Sequence, residues 1–134
     1  MLKQLSIYAE NKKGALQAMT NALYEAGINI WGSVTNDGAE YGINRMVVSD
    51  PDKAKEVLTE KGYLCRFVDV LAVEIEDKPG ALNTLLTALL DSNVNVDYTY
   101  LSFNRDSSTP VMILHTADPE ETEICLKAKG FKMV

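Results

Sequence analysis

The heptapeptide ENKKGAL at residues 10–16 returns as EDKPGAL at residues 76–82. A chain that writes one unit twice must fold as two copies of one small architecture, and this limits it more than any single motif does. At an offset of 66, Glu10, Lys12, Gly14, Ala15 and Leu16 fall on Glu76, Lys78, Gly80, Ala81 and Leu82. Ala22 and Leu23 fall on Ala88 and Leu89, and Asn29 falls on Asn95 inside the phrases INI and VNV. Eight identities in the 21 positions from 10 to 30 are too many for an accidental turn signature. Upstream, Leu5, Ile7 and Ala9 meet Leu71, Val73 and Ile75, an apolar period-two set in both copies. After a two-residue insertion the offset becomes 68, so Asp50-Pro51 meets Asp118-Pro119 and Gly62 meets Gly130. The expected division is 1–68 and 69–134.

Each copy parses in the same way. LSIYA and LAVEI alternate, as strands with one buried face do. A helix opens at the glycine, with Leu16, Met19 and Leu23, or Leu82, Leu85 and Leu89, at i, i+3, i+7. Gly27 and Asn93 suit the left-handed residue that ends a helix. Strands are expected at 28–36 and 41–48, and at 94–104 and 110–116, joined by turns at Asn36-Asp37-Gly38 and near Asp106-Ser107-Ser108. Asp50 and Asp118 suit helix N-caps with Pro at the first helical position. Ala54, Val57 and Leu58, matched by Thr122, Cys125 and Leu126, form the next stripe, and Gly62 or Gly130 stops it. A last strand, YLCRF or FKMV, closes the unit. Strand-helix-strand-strand-helix-strand is the ferredoxin-like order. The expectation is an α+β protein of two tandem ferredoxin-like βαββαβ units with antiparallel four-stranded sheets.

Composition narrows the function classes. With 13 Lys and Arg against 19 Asp and Glu, a net charge of −6 opposes nucleic-acid binding, which needs a basic face. No apolar run approaches a membrane span, and the opening MLKQLSIYAENKK is expected to be a strand and turn rather than a secretory leader. Cys65 and Cys125 are far apart, without a CxxC partner, so neither a disulfide framework nor a metal site is indicated. A cytoplasmic protein with reduced thiols is the expectation. No nucleophilic triad, phosphate loop or ligand cluster points to an enzyme or a cofactor.

A strand ending in an acidic or Asn position, then x-x-Gly-Ala-Leu opening a helix, then (Gly/Asn)-(Ile/Val)-Asn-(Ile/Val), resembles the ACT domain. The resemblance covers essentially the whole chain, twice, with Lys13 departing from the usual proline. It implies a small, non-catalytic regulatory domain that binds a free amino acid, usually at an interface between two such domains. It also implies ligand contacts at Asn11 and Asn29 in copy one and at Asp77 and Asn95 in copy two. Around these, Lys12, Gly14, Ala15, Leu16 and Ile30, with Lys78, Gly80, Ala81, Leu82 and Val96, complete the expected sites.

The chemistry supports the same residues. A helix opening at Gly14 or Gly80 presents unpaired amides and the positive end of its dipole to a carboxylate. Asn11 or Asp77 offers an acceptor for an ammonium, and Asn29 or Asn95 a donor and an acceptor. The shared 18-residue spacing (29 − 11 = 95 − 77) leads us to expect both ends at one edge of a unit. The plainer alternative is that these Asn and Asp residues are caps or Asx-turns. Lys12 and Lys78 are solvated turn lysines or carboxylate guides. His115 reads as a packed or partly exposed strand residue, Cys65 and Cys125 as core thiols, Arg45 as snorkelling or interface-paired, and Trp31 as a pocket wall or interface aromatic. Leu86 and Leu90, where copy one has Thr20 and Tyr24, widen one apolar face, to be covered by the other copy or a second chain. The strands at 28–36 and 94–101 can pair edge to edge. The expected protein is a stand-alone amino-acid-responsive regulator, homodimeric, signalling through changed packing or to a partner enzyme or regulator; an assembly module without a ligand is the alternative.

Overall fold

The computed structural model describes residues 1–36 and 41–134, so the expected turn at Asp37-Gly38 lies outside the described residues. The elements run β1 (Leu2–Glu10), α1 (Ala15–Glu25), β2 (Ile30–Asn36), β3 (Tyr41–Val48), α2 (Pro51–Glu60) and β4 (Leu64–Glu74). They continue α3 (Ala81–Asp91), β5 (Val96–Phe103), β6 (Pro110–Thr116), α4 (Pro119–Ala128) and β7 (Lys132–Met133). The chain divides into two units, Lys3–Val68 and Asp69–Val134, the latter with Met1–Leu2.

The strand order is β2-β3-β1-β4 in the first unit and β5-β6-β4-β7 in the second. This is the ferredoxin-like arrangement the repeat implies. One expectation changes: YLCRF and LAVEI are not two strands but parts of a single strand, Leu64–Glu74. No glycine or proline interrupts Cys65–Val73, and Asp69 stands alone among strand-forming residues, so the extended chain carries on. FKMV contributes only the two residues of β7.

The duplication extends to the register. Leu5↔Met46 and Ile7↔Asn44 in the first unit become Leu71↔Leu114 and Val73↔Met112 in the second, shifted by 66 on one strand and 68 on the other. Ile30↔Val48 and Gly32↔Val47, with a bulge between, become Val96↔Thr116 and Tyr98↔His115, with a bulge in the same place. The inserted pair of residues therefore lies in the second hairpin. There Asn104 Oδ1 accepts from the amide of Asp106 at 2.9 Å, and Ser108 is left-handed.

Each unit closes its own apolar core. Leu5, Ile7, Met46 and Val48 pack with Met19, Leu23, Ala54 and Leu58 in the first. Leu71, Val73, Met112 and Leu114 pack with Leu85, Leu89 and Leu126 in the second. Burying such a side chain stabilises by roughly 1.5–3 kcal/mol. Leu16 and Leu82 do not join these stripes; they are 47% and 37% exposed and stand at the helix starts. Asp50 and Asp118 cap α2 and α4, accepting from Lys53 N at 3.2 Å and Glu121 N at 3.1 Å, with Pro51 and Pro119 following. Gly27 and Asn93 take left-handed φ values of 72° and 57° behind α1 and α3.

Candidate functional site

Both helices that follow a first strand begin at a left-handed glycine. Gly14 has φ 83° and Gly80 φ 87°, and no side chain caps either helix. A Cβ at either glycine would meet nothing within 4 Å. The residue type is therefore set by the backbone angle, which costs an L side chain about 1–2 kcal/mol, and not by crowding. Below the glycine one turn bond is made, Ala15 N to Lys12 O at 3.1 Å and Ala81 N to Lys78 O at 3.2 Å. The amides of Leu16 and Gln17, and of Leu82 and Asn83, have no acceptor among the described residues. Each pair sits on the positive end of an 11-residue helix, which favours an anion there.

The flanking lysines bend the same way in both units. Lys12 Nζ lies 2.9 Å from Glu10 Oε2 and Lys78 Nζ 2.7 Å from Glu76 Oε2. The hydrogen bond to Glu10 raises the Lys12 pKa above the ordinary lysine value.

Around these turns the two units differ. In the first, Asn11, Lys12, Ala15 and Leu16 share a recess of about 150 Å³ with Thr35 and Asn44. In the second, Asp77, Gly80, Leu82, Leu101 and Phe103 line a recess of about 390 Å³. On the other side of that turn, Lys78, Ala81, Glu74 and Phe131 line one of about 410 Å³. Glu74 Oε2 is buried there, with Lys132 Nζ 3.2 Å away but off the axis of a hydrogen bond.

Asn29 and Asn95 stand elsewhere, which corrects the expectation that each meets its turn at one edge of the unit. Asn29 exchanges two bonds with Ser49: its amide donates to Ser49 Oγ, and its carbonyl accepts from Ser49 N, both at 2.9 Å. That is beyond the Ile30↔Val48 pair, whereas Glu10 pairs with Tyr41 at the opposite end of β3. Seven strand steps of ~3.3 Å separate the two ends, roughly 23 Å. The helix explains it: α1 leaves the end of β1 and runs back along the sheet, so the chain emerges from it at the far end. Ile30 and Val96 pack against the cores of their units.

Asn95 lines a recess of about 480 Å³ with Ser92, Asp97, Asp118 and Cys125. Its Nδ2 donates to Asp97 Oδ1 at 3.1 Å, and Asp97 Oδ2 lies 2.8 Å from His115 Nδ1. The His115 ring stacks on Tyr98 at 4.9 Å between centroids and 4° between planes. No motif or spacing in the chain signals these contacts. Asp97 is the bulge residue of β5, so it swings out of the ladder toward a strand neighbour eighteen positions away. The equivalent bulge residue in the first unit is Trp31, with Val47 at the position of His115.

Cys65 is buried and burial pushes its thiol up. Cys125 is half-buried and its Sγ lies 3.0 Å from Ser92 Oγ. Arg45 is half-buried in mid-strand, opposite Ser6 and Val34. Among the described residues no group of three His, Cys, Asp or Glu side chains could hold a metal ion. No described helix is long and apolar enough to cross a membrane.

The sequence profile of the ACT domain pair matches residues 1–134. No curated protein matches the chain. Among solved structures, a protein from Bacteroides thetaiotaomicron superposes with a TM-score of 0.91 at 31% identity, over 99% of this chain and 91% of that one. The ligand-free regulatory subunit of aspartate kinase from Thermus thermophilus gives 0.65 at 17% identity, over 96% of this chain and 91% of that one. The corresponding subunit from Thermus flavus gives 0.61 at 18% identity, with the same coverage. The two Thermus proteins share the fold.

Proposed function

The chain belongs to the ACT domain pair family, and on that premise we propose that it is a non-catalytic regulatory protein that binds a free amino acid at its glycine turns. The observation that carries this reading is the pair of unpaired amides at each turn, Leu16 with Gln17 and Leu82 with Asn83. They receive the carboxylate of a zwitterion, and Asn11 or Asp77 accepts from its ammonium. Ala15 and Ala81 keep the helix start narrow, and Leu16 and Leu82 wall the recess beside it.

One unit by itself does not bring Asn95 to its own turn, so a ligand that uses both needs a second unit. We place that unit in a second copy of the chain. β5 is the last strand of its order, and Leu101 and Phe103 on it are 50% and 53% exposed. Leu82, Leu86 and Leu90 continue the apolar strip along α3 at 37%, 37% and 75% exposure. A strip of this kind marks an interaction surface. Two copies joined antiparallel along β5 about a two-fold axis set the Gly80 turn of one, at the Phe103 end, beside the other's Asn95. The amino acid then bridges the copies, and its binding shifts their packing, which supplies the coupling that regulation of a partner enzyme requires.

A thermal-shift screen of the twenty amino acids tests this. A ligand at 100 times its dissociation constant adds about 2.7 kcal/mol, several degrees for a chain of this size. A flat response to all twenty removes the amino-acid reading. The apolar strip then favours the second reading, an assembly module without a small-molecule ligand.

A further inference from the structure

We infer that the two turns select different side chains, and that Asn44 makes the first unit's turn specific for a short amino acid carrying a hydroxyl or amide. The inference rests on the reading that the turns bind free amino acids.

Asn44 sits on β3, two residues before Met46, and so faces the helices with Met46 and Val48. It is only 2% exposed, and it forms the floor of the recess shared by Asn11, Lys12, Ala15 and Leu16. Its Nδ2 donates to Thr35 Oγ1 at 2.6 Å, and its Oδ1 accepts from Ser33 Oγ at 3.4 Å. A primary amide has two donors and two acceptor positions. The two bonds fix its orientation and leave one of each for a ligand. Gly42 holds the adjacent wall close, since a Cβ there would stand 2.9 Å from the Asn36 carbonyl oxygen.

The repeat supplies the control. By register, Met112 stands where the first unit has Asn44, and Leu101 where it has Thr35. The second recess lacks an amide at that position: Leu101 and Phe103 wall it with Leu82 beside the turn residues Asp77 and Lys78, Met112 lies outside its lining, and it is larger. At the first turn an aliphatic side chain covers the second donor and second acceptor position of the Asn44 amide with carbon, and desolvating them without a hydrogen bond is unfavourable. A hydroxyl or amide satisfies it. Sites built to hydrogen-bond a ligand group reject the analogue lacking it far more strongly than apolar pockets reject an extra one. The small recess restricts the choice to short side chains.

The test is an NMR titration of the ¹⁵N-labelled chain with L-serine, L-threonine and L-asparagine against L-alanine, L-valine and L-leucine. The amides of Gly14 and Ala15 report the first turn separately from those of Gly80 and Ala81. Threonine is expected to bind at Gly14 at least tenfold more tightly than its isostere valine. Asn44→Met, which copies the second unit, is expected to abolish that ratio. Thr35→Val, at an exposed position, is expected to reduce it without threatening the core. Equal affinity for threonine and valine at Gly14 overturns the inference and leaves amino-acid binding intact. Silence at Gly14 with all six overturns it as well, and silence at Gly80 too removes the reading beneath it.

Discussion

The Gly14 turn and the Gly80 turn carry the same left-handed glycine, the same unpaired amides and the same lysine–glutamate pair, yet a ligand at each would meet different walls. The first recess is small and floored by Asn44; the second is wide and lined by Leu101 and Phe103. The difference teaches that duplication preserved what the backbone needs and released what the side chains do. Backbone register leaves no room for drift, because a one-residue slip turns a strand's apolar set to the wrong face. Wall residues carry no such constraint. The same division separates the outer faces of α1 and α3, where Thr20 and Tyr24 give way to Leu86 and Leu90.

The comparison breaks first if the cores are unequal. Leu23→Ala and Leu89→Ala occupy equivalent, fully packed positions, and each is expected to cost 2–5 kcal/mol. Urea denaturation read by circular dichroism should show losses that agree within about 1 kcal/mol. A large mismatch would mean that the repeated register hides unequal packing. Gly14→Ala and Gly80→Ala are expected to cost about 1–2 kcal/mol each by the same measurement, from the forced left-handed φ. A smaller loss at one turn would show that its backbone relaxes.

Assembly should separate the units cleanly. If the chain pairs along β5 as proposed, Leu86→Ser with Leu90→Ser is expected to reduce its mass in light scattering to that of a monomer, while Thr20→Ser with Tyr24→Ser leaves its mass unchanged. The caps sharpen the likeness again: Asp50→Ala and Asp118→Ala should each cost about 1 kcal/mol, measured as a fall in urea midpoint.

The smallest effect concerns the thiols. Burial raises the Cys65 pKa, so the unfolded chain ionises first as pH rises. Cys65 thus contributes a loss of stability only above the ordinary thiol value, near ~8.5, and none below it. Iodoacetamide should label half-buried Cys125 well before Cys65. Equal rates would show that the first core opens as readily as the second unit's surface.

Legibility followed the range of the interactions. Asp50-Pro51 and Asp118-Pro119 announced helices because a cap is satisfied within three residues. Gly27, Asn93, Gly62 and Gly130 announced ends because a left-handed angle is a property of one residue. Leu16 and Leu82 matched the helical period but lie in the first turn, 47% and 37% exposed beside a recess, so periodicity overstated the core. The Asn11 to Asn29 spacing misled for a geometric reason: eighteen residues count a one-way trip along the sheet, and only the direction of α1 shows that its ends lie apart. The Asn95–Asp97–His115 contacts were invisible because they depend on a bulge and a cross-strand register.

The sequence alone determined the number of units, their element order, their caps and their glycine turns, since each is written in local residue choices and then repeated. Tertiary structure decided which side chains share a recess, that Asn44 floors one turn while leucine and phenylalanine wall the other, and that each asparagine is parted from its own turn. Those outcomes depend on pairing across strands and on which way a helix returns, and no spacing along the chain encodes either.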